Sequence, residues 1–280
     1  MKKINTVLLL ILTTSLFAQS PWTKEKGDLF INFSYTTISD YNELFGDSDY
    51  NTRGNITDRT YQIYGEYGLT DKTSLVFSVP LKSIKKSSFS NPAIDCIGDC
   101  SKPASSKTTF GNIQLGLKHQ FYNNGWVLSG QLLSEINTSS YDENTGIRTG
   151  YDAFTFTPQL LAGKSFGKTF LQTHIGADLR TNDYSSNFKI GGEFGGKVTQ
   201  NIWLIGYIDV VKSFENGDVN IPTNNSFTGL YVNDQEYGAY GLKGILQLCD
   251  LGITAGFGNA FFGNNVAKQT AFTIGIFNTF

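Results

Sequence analysis

The last twelve residues, 269–280, read QTAFTIGIFNTF, and they restrict the possible folds more than any other stretch of the chain. With a period of two, Phe272, Ile274, Ile276 and Phe280 fall on one face, while Ala271, Thr273, Gly275, Phe277 and Thr279 fall on the other. That is a strand with one strongly apolar face. A free apolar edge invites pairing with other chains, so water-soluble proteins avoid leaving one uncovered. A barrel closed within a lipid bilayer removes the edge and requires the apolar face, because lipid offers the backbone no hydrogen-bond partner.

The same pattern recurs along the chain. Alternating segments occupy 27–39, 59–69, 73–82, 108–121, 126–136, 151–163, 169–180, 187–198, 202–212, 236–246, 251–257 and 269–280. They number about twelve, and most come close to the roughly 9–11 residues that a tilted strand needs to cross a bilayer. The connections between them alternate in length. Those at 70–72, 122–125, 164–168, 199–201 and 247–250 are short, whereas those at 40–58, 83–107, 137–150, 181–186, 213–235 and 258–268 are mostly longer and polar. Short periplasmic turns and long extracellular loops mark outer-membrane barrels. The expected fold is therefore all-β, a transmembrane antiparallel up-and-down β-barrel of about twelve strands with both ends on the periplasmic side.

The outward faces can be read directly. Leu29, Ile31, Phe33 and Tyr35 form the first, Tyr61, Ile63 and Tyr67 the second, and Leu75, Phe77, Val79 and Leu81 the third. The set Ile113, Leu115, Leu117 and Phe121 and the set Phe188, Ile190 and Phe194 repeat them without a charge. A Lys or Arg facing mid-bilayer lipid would cost about 2–4 kcal/mol. Trp22, Trp126, Tyr67 and Phe121 lie near turns, where an interfacial aromatic girdle is expected. Pro80 and Pro158 fall inside strands and remove ladder donors, so a local bulge or an earlier strand end is expected at each.

Residues 1–18 carry Lys2 and Lys3, an apolar run over 7–12 and a small Ala18. This is the layout of a secretory signal peptide cut between Ala18 and Gln19, which leaves 19–280 as the barrel domain. No later stretch approaches the roughly 18 apolar residues of a membrane helix. Charged residues make up 16%, below the quarter or so usual for soluble domains. A net charge of -2 gives no reason to expect a nucleic-acid partner. Cys96 and Cys100 share one long loop, and in an exported chain their spacing points to a local disulfide, with Cys249 left unpaired in a turn. A soft-metal site would call for further Cys or His beside them, so no metal or cofactor is expected.

The opposite parity collects polar residues: Gln62, Tyr64, Glu66, Lys118, Glu135, Gln159, His174, Asp178, Arg180, Lys189, Glu193, Tyr207, Asp209 and Lys243. Such residues can brace one strand against the next, line a path for a solute, or do both. Eight-stranded barrels are filled by side chains and barrels of 16 to 18 strands hold an aqueous channel, so an intermediate number implies a narrow or partly plugged lumen. Phe30, Leu133, Leu161 and Trp203 also point inward. Counting residues across the hairpins sets Arg180 opposite Asn187, Asp178 opposite Lys189, and His174 opposite Glu193. The resulting belt is Gln159, His174, Glu193 and Tyr207, with the Glu193 carboxylate expected to favour the protonated imidazole of His174. A barrel hydrolase would need a Ser held by a His on neighbouring barrel positions, yet the residues two on from His119 and His174 are Phe121 and Gly176. The chain is not expected to be an enzyme.

Thr273, Gly275 and Phe280 resemble the C-terminal signal that delivers outer-membrane barrels to their assembly machinery, with Asn278 standing where that signal has a hydrophobic residue. The phrases YGEYGLTDKTSLVFSVPL (64–81) and FGNIQLGLKHQF (110–121) resemble the outer-membrane barrels grouped with the phenol meta-pathway and aromatic-degradation transporters. That resemblance implies a channel passing small, often hydrophobic or aromatic solutes. The FAQ at 17–19 and the Asn- and Lys-rich composition resemble Bacteroidetes-type Gram-negative proteins. The partners implied are outer-membrane lipid, the barrel assembly machinery and a small-molecule solute. Two rival readings are a structural or adhesive barrel acting through its loops and a barrel enzyme. Deleting Phe280 should reduce the heat-modifiable, membrane-inserted fraction, and normal insertion of the deleted chain would remove the sorting role.

Overall fold

The computed structural model describes residues 20–90, 101–220 and 228–280. The expected signal peptide, Cys96 and Cys100 lie outside the described residues. The alternating segments form β1 (Leu29–Phe45), β2 (Tyr50–Thr70), β3 (Thr73–Lys86) and β4, which is split into Ser105–Phe110 and Ile113–Asn124. There follow β5 (Trp126–Ile136), β6 (Thr155–Ser165), β7 (Thr169–Arg180), β8 (Asn187–Lys197) and β9 (Ile202–Ser213). The chain ends with β10 (Glu236–Leu248), β11 (Leu251–Asn264) and β12 (Ala271–Thr279). Each strand pairs with its chain neighbours, and β12 pairs antiparallel with β1 from Phe30↔Thr279 to Ile38↔Ala271. The result is a closed twelve-stranded antiparallel barrel. The backbone N–H and C=O of Phe280 bond to those of Leu29 at 2.9 and 3.0 Å, so the chain end completes the seam.

Side-chain direction follows the alternation. Phe272, Ile274 and Ile276 on β12 and Leu204 and Ile208 on β9 are exposed, while Phe277 and Ile205, at the opposite parity, are buried. These exposed rows girdle the barrel as an apolar band, the surface that lipid requires. No helix among the described residues is long and apolar enough to cross a membrane. Trp126, Tyr67 and Phe121 are exposed at the short-turn end, as a girdle requires.

Several stretches expected as loops are strand. The β1–β2 hairpin continues through 40–58 to Leu44↔Tyr50, and β3, β4 and β11 extend to Lys86, from Ser105 and to Asn264. Beyond the bilayer a strand needs no apolar outer face, so the alternation that marks a crossing stops while the hydrogen-bond ladder runs on. Above the membrane this extension encloses a small apolar cap of Tyr41, Leu44, Ile56, Ile84, Ile147 and Leu230.

The two prolines are accommodated differently. Between Ser78↔Gln114 and Leu81↔Phe110, Val79 and Pro80 face Gly111, Asn112 and Ile113, so the bulge lies in β4 rather than in the proline's own strand. The Gly111 N–H still bonds to the Pro80 carbonyl at 2.9 Å. Pro158 stays in register opposite Leu132, and the ladder to β7 skips from Phe156↔Leu179 to Gln159↔Gly176 without a shift.

The outward band predicts the cost of a misplaced charge. Leu160 lies mid-strand on β6 and is 58% exposed, so Leu160→Lys should destabilise the barrel by about 2–4 kcal/mol in equilibrium urea unfolding from phospholipid vesicles. An unchanged midpoint would place this face away from lipid.

Candidate functional site

With the outside committed to lipid, the chemistry of this chain lies in the lumen, which is layered. Toward the short-turn end Phe30, Tyr64, Val76, Phe170, Trp203, Ile205, Ile245 and Phe277 belong to one apolar cluster. Against it packs Trp22, edge-on to Phe170 with ring centroids 6.4 Å apart. Trp22 therefore stands inside the barrel and not in the interfacial girdle, because the segment preceding β1 turns into the barrel mouth.

The contacts of that segment are specific. Lys118 Nζ donates to the Ser20 carbonyl at 3.1 Å, Ser129 Oγ donates to the Pro21 carbonyl, and the Lys24 N–H donates to Ser74 Oγ at 2.9 Å. A Cβ on Gly163 would meet Pro21 and Trp22, so the absence of a side chain there lets the segment sit against the wall. Lys118 also pairs with Glu66 at 2.8 Å, with side chains 0% and 4% exposed. The apolar-aromatic Ser20-Pro21-Trp22 just after the expected cleavage site is the one sequence signal that could have announced a stopper.

The fourteen polar residues expected on the inner face are all buried or partly buried. Their pairings differ from the expected belt. Asp178 lies opposite Asn187 and His174 opposite Gly191, with Gln172 opposite Glu193. Across β6 and β7, Leu161 rather than Gln159 lies opposite His174. Only Glu193↔Tyr207 is as counted. Glu193 pairs with Lys243 at 2.7 Å and accepts a bond from Gln172 at 2.9 Å, so the expected contact with His174 is absent. Asp178 is held by Lys189 and Arg180, each at 3.4 Å, and Gln159 accepts from Gln131 at 2.9 Å.

His174 faces a different carboxylate. Its Nε2 lies 3.6 Å from Asp209 Oδ1, reached across Gly191 of the intervening strand. A Cβ at Gly191 would collide with that oxygen and with the His174 ring, so the pair exists because this position is glycine. Tyr207 likewise lies over Gly241 and Gly258 and donates to the Phe257 carbonyl at 3.4 Å.

No protein-family model matches the sequence, and no curated protein matches it. Solved structures do resemble it. An outer membrane channel from Pseudomonas putida F1 aligns over 92% of this chain and 97% of its own, with a TM-score of 0.68 and 13% identity. The translocator domain of the autotransporter NalP from Neisseria meningitidis aligns over 92% of this chain and 90% of its own (TM-score 0.54, 11% identity). The KdgM porin aligns over 90% and 99% (TM-score 0.50, 8% identity). The fold is that of an outer-membrane β-barrel. At these identities the likeness extends to architecture alone, and the site must speak for itself.

Lys24 gives the segment before β1 a pH signature. Docked, it is buried over the Phe30 ring, 4.5 Å from the centroid, and burial pushes its ammonium down to about 8 against an opposing pull from Glu66. A released segment restores the ordinary value of 10.5. Docking is then weakest below pH 8, where the buried amine must carry its charge, and strengthens as pH rises from about 8 towards 10.5. Lys24→Met should lower single-channel conductance near neutrality and flatten its alkaline decline. A variant with unaltered pH dependence would remove Lys24 from the docking equilibrium.

Proposed function

We propose that this chain is an outer-membrane channel that passes small solutes through a narrow polar lumen and rests with its periplasmic mouth stoppered by residues 20–26. One observation carries the reading. The stopper is held by a few hydrogen bonds between its backbone and wall side chains, outside the strand ladder. A part that only filled space would more simply be continuous with the wall; a part docked through a handful of contacts can leave, and leaving opens a passage. The ring-lined layer of Phe30, Tyr64, Phe170, Trp203 and Phe277 supports solutes with apolar or aromatic parts, in line with the resemblance to aromatic-degradation transporters. The C-terminal strand is the part offered to the assembly machinery.

A second reading, a barrel acting through its extracellular surface, draws on the β1–β2 hairpin that rises past the bilayer and on its apolar cap. Conductance separates the two. In planar bilayers the intact barrel should give small, brief openings, and deletion of 20–26 should raise both open probability and conductance several-fold. A shortened barrel that folds, inserts and stays silent would favour the loop-borne role.

A further inference from the structure

Beneath the extracellular cap the lumen holds a cavity of about 170 Å³, lined among others by Gln62, Lys82, Asn112, Gln114, Glu135 and Tyr231. It is smaller than typical drug-sized sites, so it suits a small solute. Its charge pattern differs from that of the lysine-paired carboxylates of the lumen. Glu66, Glu193 and Asp178 each have a lysine partner. Glu135 has no cation within ion-pair distance among the described residues; its two oxygens accept from Asn112 Nδ2 at 3.0 Å and Gln114 Nε2 at 2.8 Å. The lysine that shares the cavity is already engaged, since Lys82 pairs with Asp58 at 2.9 Å and donates to the Tyr231 hydroxyl at 2.6 Å.

The hydrogen-bond inventory points the same way. Both N–H groups of Asn112 are used, on Glu135 and on the Tyr151 carbonyl at 2.9 Å. Its Oδ1 has no partner although the residue is only 7% exposed. Gln62 spends a donor on Ser78 Oγ at 2.6 Å. What faces the cavity includes a carboxylate with spare lone pairs, Glu135, beside the amides of Gln62 and Gln114. A primary ammonium offers three donors, a positive charge and no acceptor, the complement of that carboxylate. Pro80 and Tyr231 add an apolar wall for the rest of such a molecule.

We propose that this chamber is a binding station for small solutes bearing a primary ammonium group, with Glu135 as the counter-ion and Asn112 and Gln114 as positioning residues. The proposal rests on reading the lumen as a solute path, and it names the solute class.

Equilibrium binding to the full-length barrel, refolded in detergent at low salt, tests it with benzylammonium as probe. Calorimetric titration should give saturable binding, and benzyl alcohol, its neutral counterpart, should bind about tenfold or more weakly, the worth of a charge-assisted hydrogen bond in a buried site. Glu135→Gln should weaken benzylammonium by a similar factor, with its heat-modifiable gel shift retained. Equal binding of the alcohol, tighter binding of glucose, or no saturable binding would overturn the proposal, and the wild-type comparison decides even if the variant does not fold. A barrel that binds the probe but never conducts keeps the site and loses the channel. One that conducts without binding it does the reverse.

Discussion

Lipid gives the backbone nothing to bond with, and the pairing of the first strand with the last is how this chain satisfies that constraint. The seam from Phe30↔Thr279 to Ile38↔Ala271, completed by the bonds between Leu29 and Phe280, leaves the membrane-crossing wall without an edge strand. Closure fixes the rest. Outward positions must be apolar, so chemistry retreats to the lumen. There, neighbouring side chains crowd, and glycines decide which of them meet. Gly191 is the clearest instance, since its missing side chain is the space in which His174 and Asp209 face each other.

The lumen is held by buried charge as much as by apolar packing. Lys118–Glu66 and Lys243–Glu193 are both nearly inaccessible. Such pairs add little net stability compared with apolar replacements, yet removing one partner is costly because it strands the other in a poor solvent. Their role here is positional. Lys118 is also the residue that holds Ser20, so the charge that braces the wall also seats the segment before β1. Two carboxylates, Glu135 and the Asp209 beside His174, have no lysine within ion-pair distance among the described residues, and on the proposed reading they set the sign of the passage.

The barrel was largely legible in the sequence, and the reasons it was not wholly so are local. Strands β5 and β7 begin and end where the alternation does, because their crossings account for nearly all of their length. The β1–β2 hairpin was mistaken for loop above the membrane, where water removes the need for an apolar face. Sidedness survived while partners did not. The β7–β8 ladder closes at Asp178↔Asn187, two residues before the counted Arg180, which bonds through its N–H to Ser186 Oγ instead. An even shift keeps every side chain on its face and changes only whom it meets. Hence His174 meets Asp209 and not Glu193. The stopper escaped because a segment outside the strands has no period to read.

The account stands or falls on whether the lumen conducts and with which sign. The most direct measurement is the reversal potential of the refolded barrel in a planar bilayer under a potassium chloride gradient, with and without residues 20–26. Cation-preferring currents, enlarged by the truncation and losing their preference in the Glu135→Gln, Asp209→Asn double variant, are the predicted result. Anion preference, or silence from both forms in the folded and inserted state, would contradict it.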